Sequence, residues 1–499
     1  MVSNQSYLAL ILLGAICATG QAPLYLWPVS LIALILFFKN LIELSLDSLG
    51  TFKKSWFFGF GYFLVTMNWI VEPFLVEITS YGWLAPFALF AMAGGLSFLW
   101  ALGAYIGYFM FNTALGAALG IGLSEVARGF ILTGFPWGLV GYIWTETPIA
   151  QTAAFVGVYG LTFSTIFLSA LAATLGNHRG FVVTILYLSA ITGGIWLAGS
   201  LRIAEPSYSE DAKRIRLSQP NANQEQKWDP EFSSVFFERQ LKFTSAKPKP
   251  DLVIWPETTL PVPFEMANSL INKLADVANG TPVLLGSLRY ENGNYYNSIV
   301  SFDENGTAVS IYDKHHLVPF GEYLPLEKYF IGKVFKSTDT IFGTGLSTGP
   351  GPEIITVANL GKVLPLICYE AVFPQDVGVF SERADVIIQL TNDAWFGNVS
   401  GPQQHLSKAQ MRSIEQGLPL IRVANTGISG LIDPFGRVQA FLPLNEAGFL
   451  DIRVPEALPA SIYSRFGLWV VACLALIFFA FCFLYGQAQS RVDAADKYI

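Results

Sequence analysis

The sequence predicts two structural classes in one chain, a helical membrane bundle and a layered α/β domain. Three observations carry this reading. Of the 499 residues, 52% are hydrophobic, and the mean hydropathy is +0.45, which points to membrane spans rather than an ordinary soluble protein. Charge is segregated: residues 1–200 hold 11 of the 67 Asp, Glu, Lys and Arg. Alternating β-like and helical runs begin only after residue 203. The chain therefore divides into a seven-helix bundle over 1–202, an extramembrane domain over 203–463, and an eighth span with a tail over 464–499. The formal charge is −7 and no basic run is present, so nucleic-acid binding has no support.

The apolar segments run roughly over 6–20, 23–39, 55–76, 83–105, 109–132, 149–174, 181–200 and 466–486. Pro23 separates the first two, which can form a tight hairpin, and a weak break near Asn112 separates the fourth from the fifth. Lys39, Lys53, Lys54, Arg179, Arg491 and Lys497 all fall on one side of eight spans, whereas the opposite loops carry Glu72, Glu77 and Glu146. The positive-inside rule makes the first side cytoplasmic. The domain then lies across the membrane, in the periplasm of a bacterial envelope. Glu125 and Arg128 stand three apart in an apolar segment. Such a pair is either functional or an ion pair that packs the bundle. GFPWGLVGYIWTETP, at 134–148, reads as an aromatic interface segment.

In the domain, IRLSQPN, DLVIWPE, PVLLGSLRY, YYNSIVSF, AVSIYDK, KVLPLICYE, ADVIIQLTND, PLIRVANTG and SGLIDPFG read as strands, with DENG at 303–306 as a hairpin turn. Residues 230–245, 265–279 and 403–417 read as helices. Apolar strands with intervening helices predict a layered sandwich. Of four cysteines, Cys17, Cys473 and Cys482 lie in apolar segments, and Cys368 alone lies in the domain, without a disulfide partner there. Four histidines without an HExxH pattern suggest no metal site.

Glu257, Lys314 and Cys368 each end an apolar strand, where α/β proteins gather catalytic groups. A carboxylate, an ammonium and a thiol suit acyl transfer. The carboxylate takes the thiol proton, and the ammonium stabilises the thiolate and then the oxyanion. Read singly, each has a bland role: a small buried apolar residue, a turn cap, a solvated lysine. His315 and His316 invite a Cys-His reading, but lining the loop after Lys314 is favoured, and Asn392 and Asp393 either pin the loop beside the pocket or merely form a turn.

WPET, YDKHHLVPFGEYLP and ICYE, in this order, resemble the Glu-Lys-Cys signature of the nitrilase superfamily. With seven spans before the domain and one after, the chain is similar over nearly its whole length to the membrane-bound branch, the apolipoprotein N-acyltransferases. The resemblance implies an αββα nitrilase-like sandwich on an eight-helix bundle in the bacterial inner membrane, with a periplasmic active site and no cofactor. It implies a phospholipid acyl donor and a diacylglyceryl-apolipoprotein acceptor. It makes Glu257 the general base, Lys314 the oxyanion lysine and Cys368 the nucleophile. Glu322 matches a second glutamate near the lysine, Tyr369 and Glu370 the pair after the nucleophile, and Trp228 a tryptophan after the first strand. Tyr369 and Glu370 are equally readable as site wall or core.

The stretch 327–345 mixes aromatic residues with three lysines, which suits an interfacial lid. An alternative function with the same three residues is a membrane-anchored amidase or nitrilase that hydrolyses small C–N bonds, ending in attack by water. The large bundle argues against it. A transporter would need more polar residues along the spans than Glu125 and Arg128.

Overall fold

A computed structural model describes residues 7–43, 47–76, 78–227, 229–323, 345–378 and 382–496. Two compact units result. One comprises 1–204, 399–407 and 461–499, and the other 205–398 and 408–460.

The first unit is helical. Ile78–Phe111, Pro148–Gly176 and Leu468–Ala488 are long and apolar enough to cross a membrane. A fourth candidate is Ser48–Thr66 with Asn68–Val76, bent by 62°. Tyr7–Ala18 and Trp27–Ile42 are apolar but shorter. The break near Asn112 is a true helix end. Asn112 adopts φ 50 and its N–H returns to the Tyr108 carbonyl, then Thr113 caps Ala114–Arg128 by accepting from the Gly116 N–H. The two helices then pack backbone to backbone. A Cβ at Gly107 would stand 1.9 Å from the Gly116 carbonyl oxygen, and one at Gly120 1.8 Å from that of Gly103. Two glycine pairs spaced four apart thus set this crossing.

Glu125 and Arg128 form a buried ion pair at 2.8 Å. Trp100 Nε1 donates to Glu125 Oε1 at 2.7 Å, and Arg128 Nη1 donates to the Phe135 and Trp137 carbonyls. The pair therefore anchors the 134–148 segment. That segment is not a surface belt: Trp137, Tyr142 and Trp144 are buried. Trp137 Nε1 donates to Gln404 at 2.6 Å and Trp144 Nε1 to Thr165 at 2.9 Å. Indole N–H groups with fixed acceptors can be buried at little cost, which hydropathy alone does not reveal.

Among the described residues the second unit contains twelve strands in two sheets: β1 (Arg214–Gln219), β2 (Leu252–Ile254), β3 (Val283–Glu291), β4 (Asn294–Phe302), β5 (Ala308–Asp313), β6 (Ile355–Val357), β7 (Gly361–Ile367), β8 (Val386–Thr391), β9 (Leu420–Ala424), β10 (Ser429–Ile432), β11 (Val438–Leu442) and β12 (Gly448–Arg453). The orders are β12-β1-β2-β3-β4-β5 and β11-β10-β9-β8-β7-β6. Ile215, Leu217, Ile254 and Ile299 of the first sheet share one core with Ile367, Ile388, Leu390 and Val423 of the second. The outer face of the first sheet is covered by Pro230–Ser245 and Asn268–Ala278, through Phe237, Leu241 and Leu274 against Trp255 and Val300. Ile414, near the end of Gly401–Gln416, packs at Gly436 after β10, and Gln410 Nε2 donates to the Gly436 carbonyl at 2.9 Å. The result is the αββα sandwich expected from the motifs. DENG closes β4 to β5, with Asp303 Oδ1 accepting from the Asn305 and Thr307 N–H groups. Strands β6, β11 and β12 were not anticipated. They are short edge or outer strands whose burial alternates or lapses.

Candidate active site

Strands β2 and β3 are parallel, and β4 is antiparallel to both β3 and β5. Thus β2 and β5 run the same way, and Glu257 and Lys314 leave the first sheet at the same rim. Cys368 leaves the second sheet at the end of β7. Glu257 lies in a tight turn, with Thr258 at φ 48. Strand β3 passes so close to this turn that a Cβ at Gly286 would lie 2.6 Å from Glu257 Cα. Glycine is therefore required there for the turn to seat.

The rim gathers a buried charged cluster. Lys314 Nζ donates to Glu322 Oε1 at 2.8 Å and stands 3.9 Å from Glu257 Oε1. Asn297, on β4, donates through Nδ2 to Glu257 Oε1 at 2.7 Å and to Glu322 Oε1 at 3.3 Å. The Val318 N–H holds Glu322 Oε2 at 2.7 Å. Glu257 Oε2 is buried and accepts no hydrogen bond among the described residues. Burial pushes the Glu257 carboxyl above the usual range, with Glu322 adding to the rise, while Lys314 and Lys227 oppose it. Burial alone would lower Lys314, but Glu322 and Glu257 outweigh it and hold the ammonium well above its ordinary value.

Cys368 is buried and sits at φ 50, a left-handed conformation costly for a non-glycine residue. The thiol is pushed up to about 12 by burial and by Glu257, and Lys314 and a hydrogen bond with Thr391 work against that rise. Gln389 Nε2 donates to the Cys368 carbonyl at 3.1 Å. Gln389 is in turn held by Arg422, which also donates to Asp393 Oδ2 at 2.5 Å inside the fold. Asp393 is thus part of a buried strut rather than a simple turn former.

Glu370 is fully buried and is neither site wall nor ordinary core. Its Oε2 accepts from the Ile367 N–H at 2.7 Å, immediately before the cysteine. Its Oε1 accepts from Tyr312 at 2.9 Å and from the His315 N–H at 2.8 Å, immediately after the lysine. One carboxylate thereby ties the two sheets together on either side of Lys314 and Cys368. His315 Nδ1 lies 2.7 Å from Glu370 Oε1, and His316 Nδ1 lies 2.9 Å from Asp376 Oδ2. The His315 imidazole, pulled down by burial, is nonetheless raised to about 9 by Asp376 and Glu370. His315, His316 and Asp376 bring ligand-type atoms within 4.8 Å of one another, and each takes part in one of these side-chain contacts. Tyr369 is buried beside Phe373, ring centroids 4.9 Å apart, with His316 stacked on Phe373.

The fold therefore brings Glu257, Lys314, Glu322 and Cys368 into one electrostatic neighbourhood and places Glu370 and Tyr369 behind it. Trp228 and all but the last residue of the 327–345 stretch lie outside the described residues. Sequence reasoning missed Asn297, Lys227, Gln389, Arg422 and Asp376. The available signal was polarity inside strands that otherwise read as buried, as in YYNSIVSF and ADVIIQLTND.

Residues 225–459 match the carbon-nitrogen hydrolase family, and residues 13–171 match the apolipoprotein N-acyltransferase N-terminal domain. An apolipoprotein N-acyltransferase of Brucella melitensis is 37% identical over 427 residues, which cover 81% of this chain and 80% of that one. One of Rhodopseudomonas palustris is 33% identical over 492 residues, covering 92% and 91%. Among solved structures, a nitrilase-superfamily protein of Saccharomyces cerevisiae aligns with 50% of this chain and 93% of its own at 21% identity and a TM-score of 0.37. With relatives of this identity spanning most of its length and both family regions in order, the chain belongs to the apolipoprotein N-acyltransferase family, acyltransferases of the nitrilase superfamily.

Proposed function

We propose that the chain transfers a fatty acyl group from a phospholipid, through a thioester on Cys368, to the α-amino group of an S-diacylglyceryl-cysteine at a lipoprotein N-terminus. The observation that carries this is the open oxygen of Glu257. Oε1 is fixed by Asn297 while Oε2 is buried and takes no donor among the described residues, so the carboxylate is oriented and has one oxygen available for a proton. A thiol held near 12 is almost wholly protonated at neutral pH. Attack therefore needs a base at the moment of bond formation, and Glu257, raised by burial, is matched to that task.

In the first step the Cys368 sulfur bonds to the ester carbonyl carbon of the phospholipid as its proton passes to Glu257. Lys314, kept cationic by Glu322 and Glu257, stabilises the oxyanion. The tetrahedral intermediate expels the glycerol oxygen, which takes the proton from Glu257, and lysophospholipid departs. In the second step the acceptor amine attacks the thioester and gives its proton to Glu257. Cys368 leaves, is reprotonated, and an amide remains. Glu322 orients Lys314, Glu370 positions both reacting loops, and Tyr369 backs the nucleophile; Trp228 and the 327–345 stretch contribute to substrate binding and closure over the site. The bundle over 1–202 and 464–499 supplies eight spans, with the domain 203–463 in the periplasm of the bacterial inner membrane, as the Lys and Arg distribution favours.

The test is incubation of the full-length protein with labelled phospholipid, with and without a diacylglyceryl-cysteine peptide. A long-chain thioester on Cys368 that the peptide discharges to an N-acyl product is expected, with ping-pong kinetics. An acyl chain on any other residue overturns the assignment. Absence of any long-chain thioester, with hydrolysis of a small amide or nitrile instead, would support the amidase alternative.

A further inference from the structure

Lys227 ends the short helix Gln224–Lys227 and is 8% exposed. The reaction scheme gives it no task, although burying a lysine ammonium is costly unless it is paired and hydrogen-bonded. Its Nζ donates to the Glu257 carbonyl at 3.1 Å and to Thr258 Oγ1 at 2.5 Å. These are the two residues of the turn, left-handed at Thr258, against which Gly286 packs. Glu257 and Cys368 both act to raise the Lys227 amine, and Lys314 and Glu322 act on the same Glu257.

We propose that Lys227 is a second cation of the acyl-transfer site. It clamps the Glu257–Thr258 turn so that the carboxylate faces the thiol, and its charge stabilises the Cys368 thiolate on attack and on departure from the thioester. It is a positioning residue for Glu257 and an electrostatic partner for the sulfur. The proposal rests on the reading of Glu257 and Cys368 given above. Burial brings the Lys227 amine down to about 8, against the pull of Glu257 and Cys368. Its contribution is therefore present at neutral pH and fades as the ammonium is lost above that value.

The test is the pH dependence of Cys368 alkylation by iodoacetamide in the full-length protein in detergent, read by mass spectrometry of the Cys368 peptide. Lys227→Met is expected to slow alkylation about tenfold at neutral pH, equivalent to a thiol raised by about one unit. Lys227→Gln, which keeps a donor for the turn without the charge, is expected to show the same slowing with a fold closer to wild type. It carries the comparison if the methionine variant does not fold. Lys227→Arg should recover most of the rate. An alkylation profile in Lys227→Gln that superimposes on wild type overturns the proposal. Failure of the wild-type protein to form an acyl-enzyme on Cys368 would instead overturn the underlying function, so the two failures are distinct.

Discussion

The helical unit and the sandwich each bury a glutamate against a cation, and the two sites are finished differently. In the helical unit Glu125 meets Arg128 through both oxygens and takes a third bond from Trp100, while the rest of the guanidinium is spent on backbone carbonyls. Every strong donor and acceptor is engaged, and the pair can only hold. In the sandwich Glu257 has one oxygen fixed and one open, and its lysine stands at 3.9 Å with Glu322 as the closer partner. A buried carboxylate left half satisfied is unfavourable for stability. Saturation thus distinguishes the closed charge pair of the helical unit from the pair proposed to react, a distinction that neither burial nor proximity makes.

The largest expected effect tests the reactive side of that contrast. Cys368→Ala should abolish the acyl-enzyme, lowering turnover by on the order of 10⁴ or more, with unfolding little changed. Glu257→Gln preserves the acceptor that Asn297 uses but cannot take a proton. It should slow thioester formation by about 10²–10⁴, measured as the single-turnover rate with labelled phospholipid. Lys314→Met removes one oxyanion donor and should cost about 10²–10³ in kcat. If either variant retained wild-type rates, the open geometry at Glu257 and Lys314 would have no chemical meaning.

The saturated pair should behave in the opposite way. Glu125→Gln or Arg128→Met strands a buried partner and should destabilise the protein by about 3–5 kcal/mol in thermal or denaturant unfolding. The acyl-transfer rate of the molecules that remain folded should be unchanged. A fall in that rate without a fall in stability would place this pair among the functional groups.

The smallest effect concerns the bridge behind the site. The His315 imidazole is raised from 6.5 to about 9 by Asp376 and Glu370 despite its burial. Its stabilising ion pair is fully present below about 6.5, and it is lost as pH rises through about 9. The midpoint of unfolding should therefore fall across that window in the wild type and fall less in His315→Gln. A parallel decline in both proteins would remove His315 from the account.

Much of this was legible in the residue order, because the signals were local. Apolar runs mark the bundle. Strand ends at WPE, YDK and LIC mark the three proposed reactive groups, and the segregation of charge marks the border between the units. Where the reading missed, the cause was distance or brevity. Strand β6 has three residues, too few to show a period. The 134–148 aromatics looked like a belt because their acceptors, Thr165 and Gln404, lie far along the chain. Asn297 and Lys227 looked like ordinary polar residues.

Composition and order alone determined which units form and which side chains are candidates for the proposed chemistry, since periodicity and strand termination are properties of neighbouring residues. Tertiary structure alone decided that Asn297 orients Glu257, that Lys227 clamps its turn, and that Glu370 binds the lysine loop to the cysteine loop. Those contacts join residues 30 to 55 positions apart. Closing such loops is settled by the packing of two sheets, a condition that no local pattern encodes.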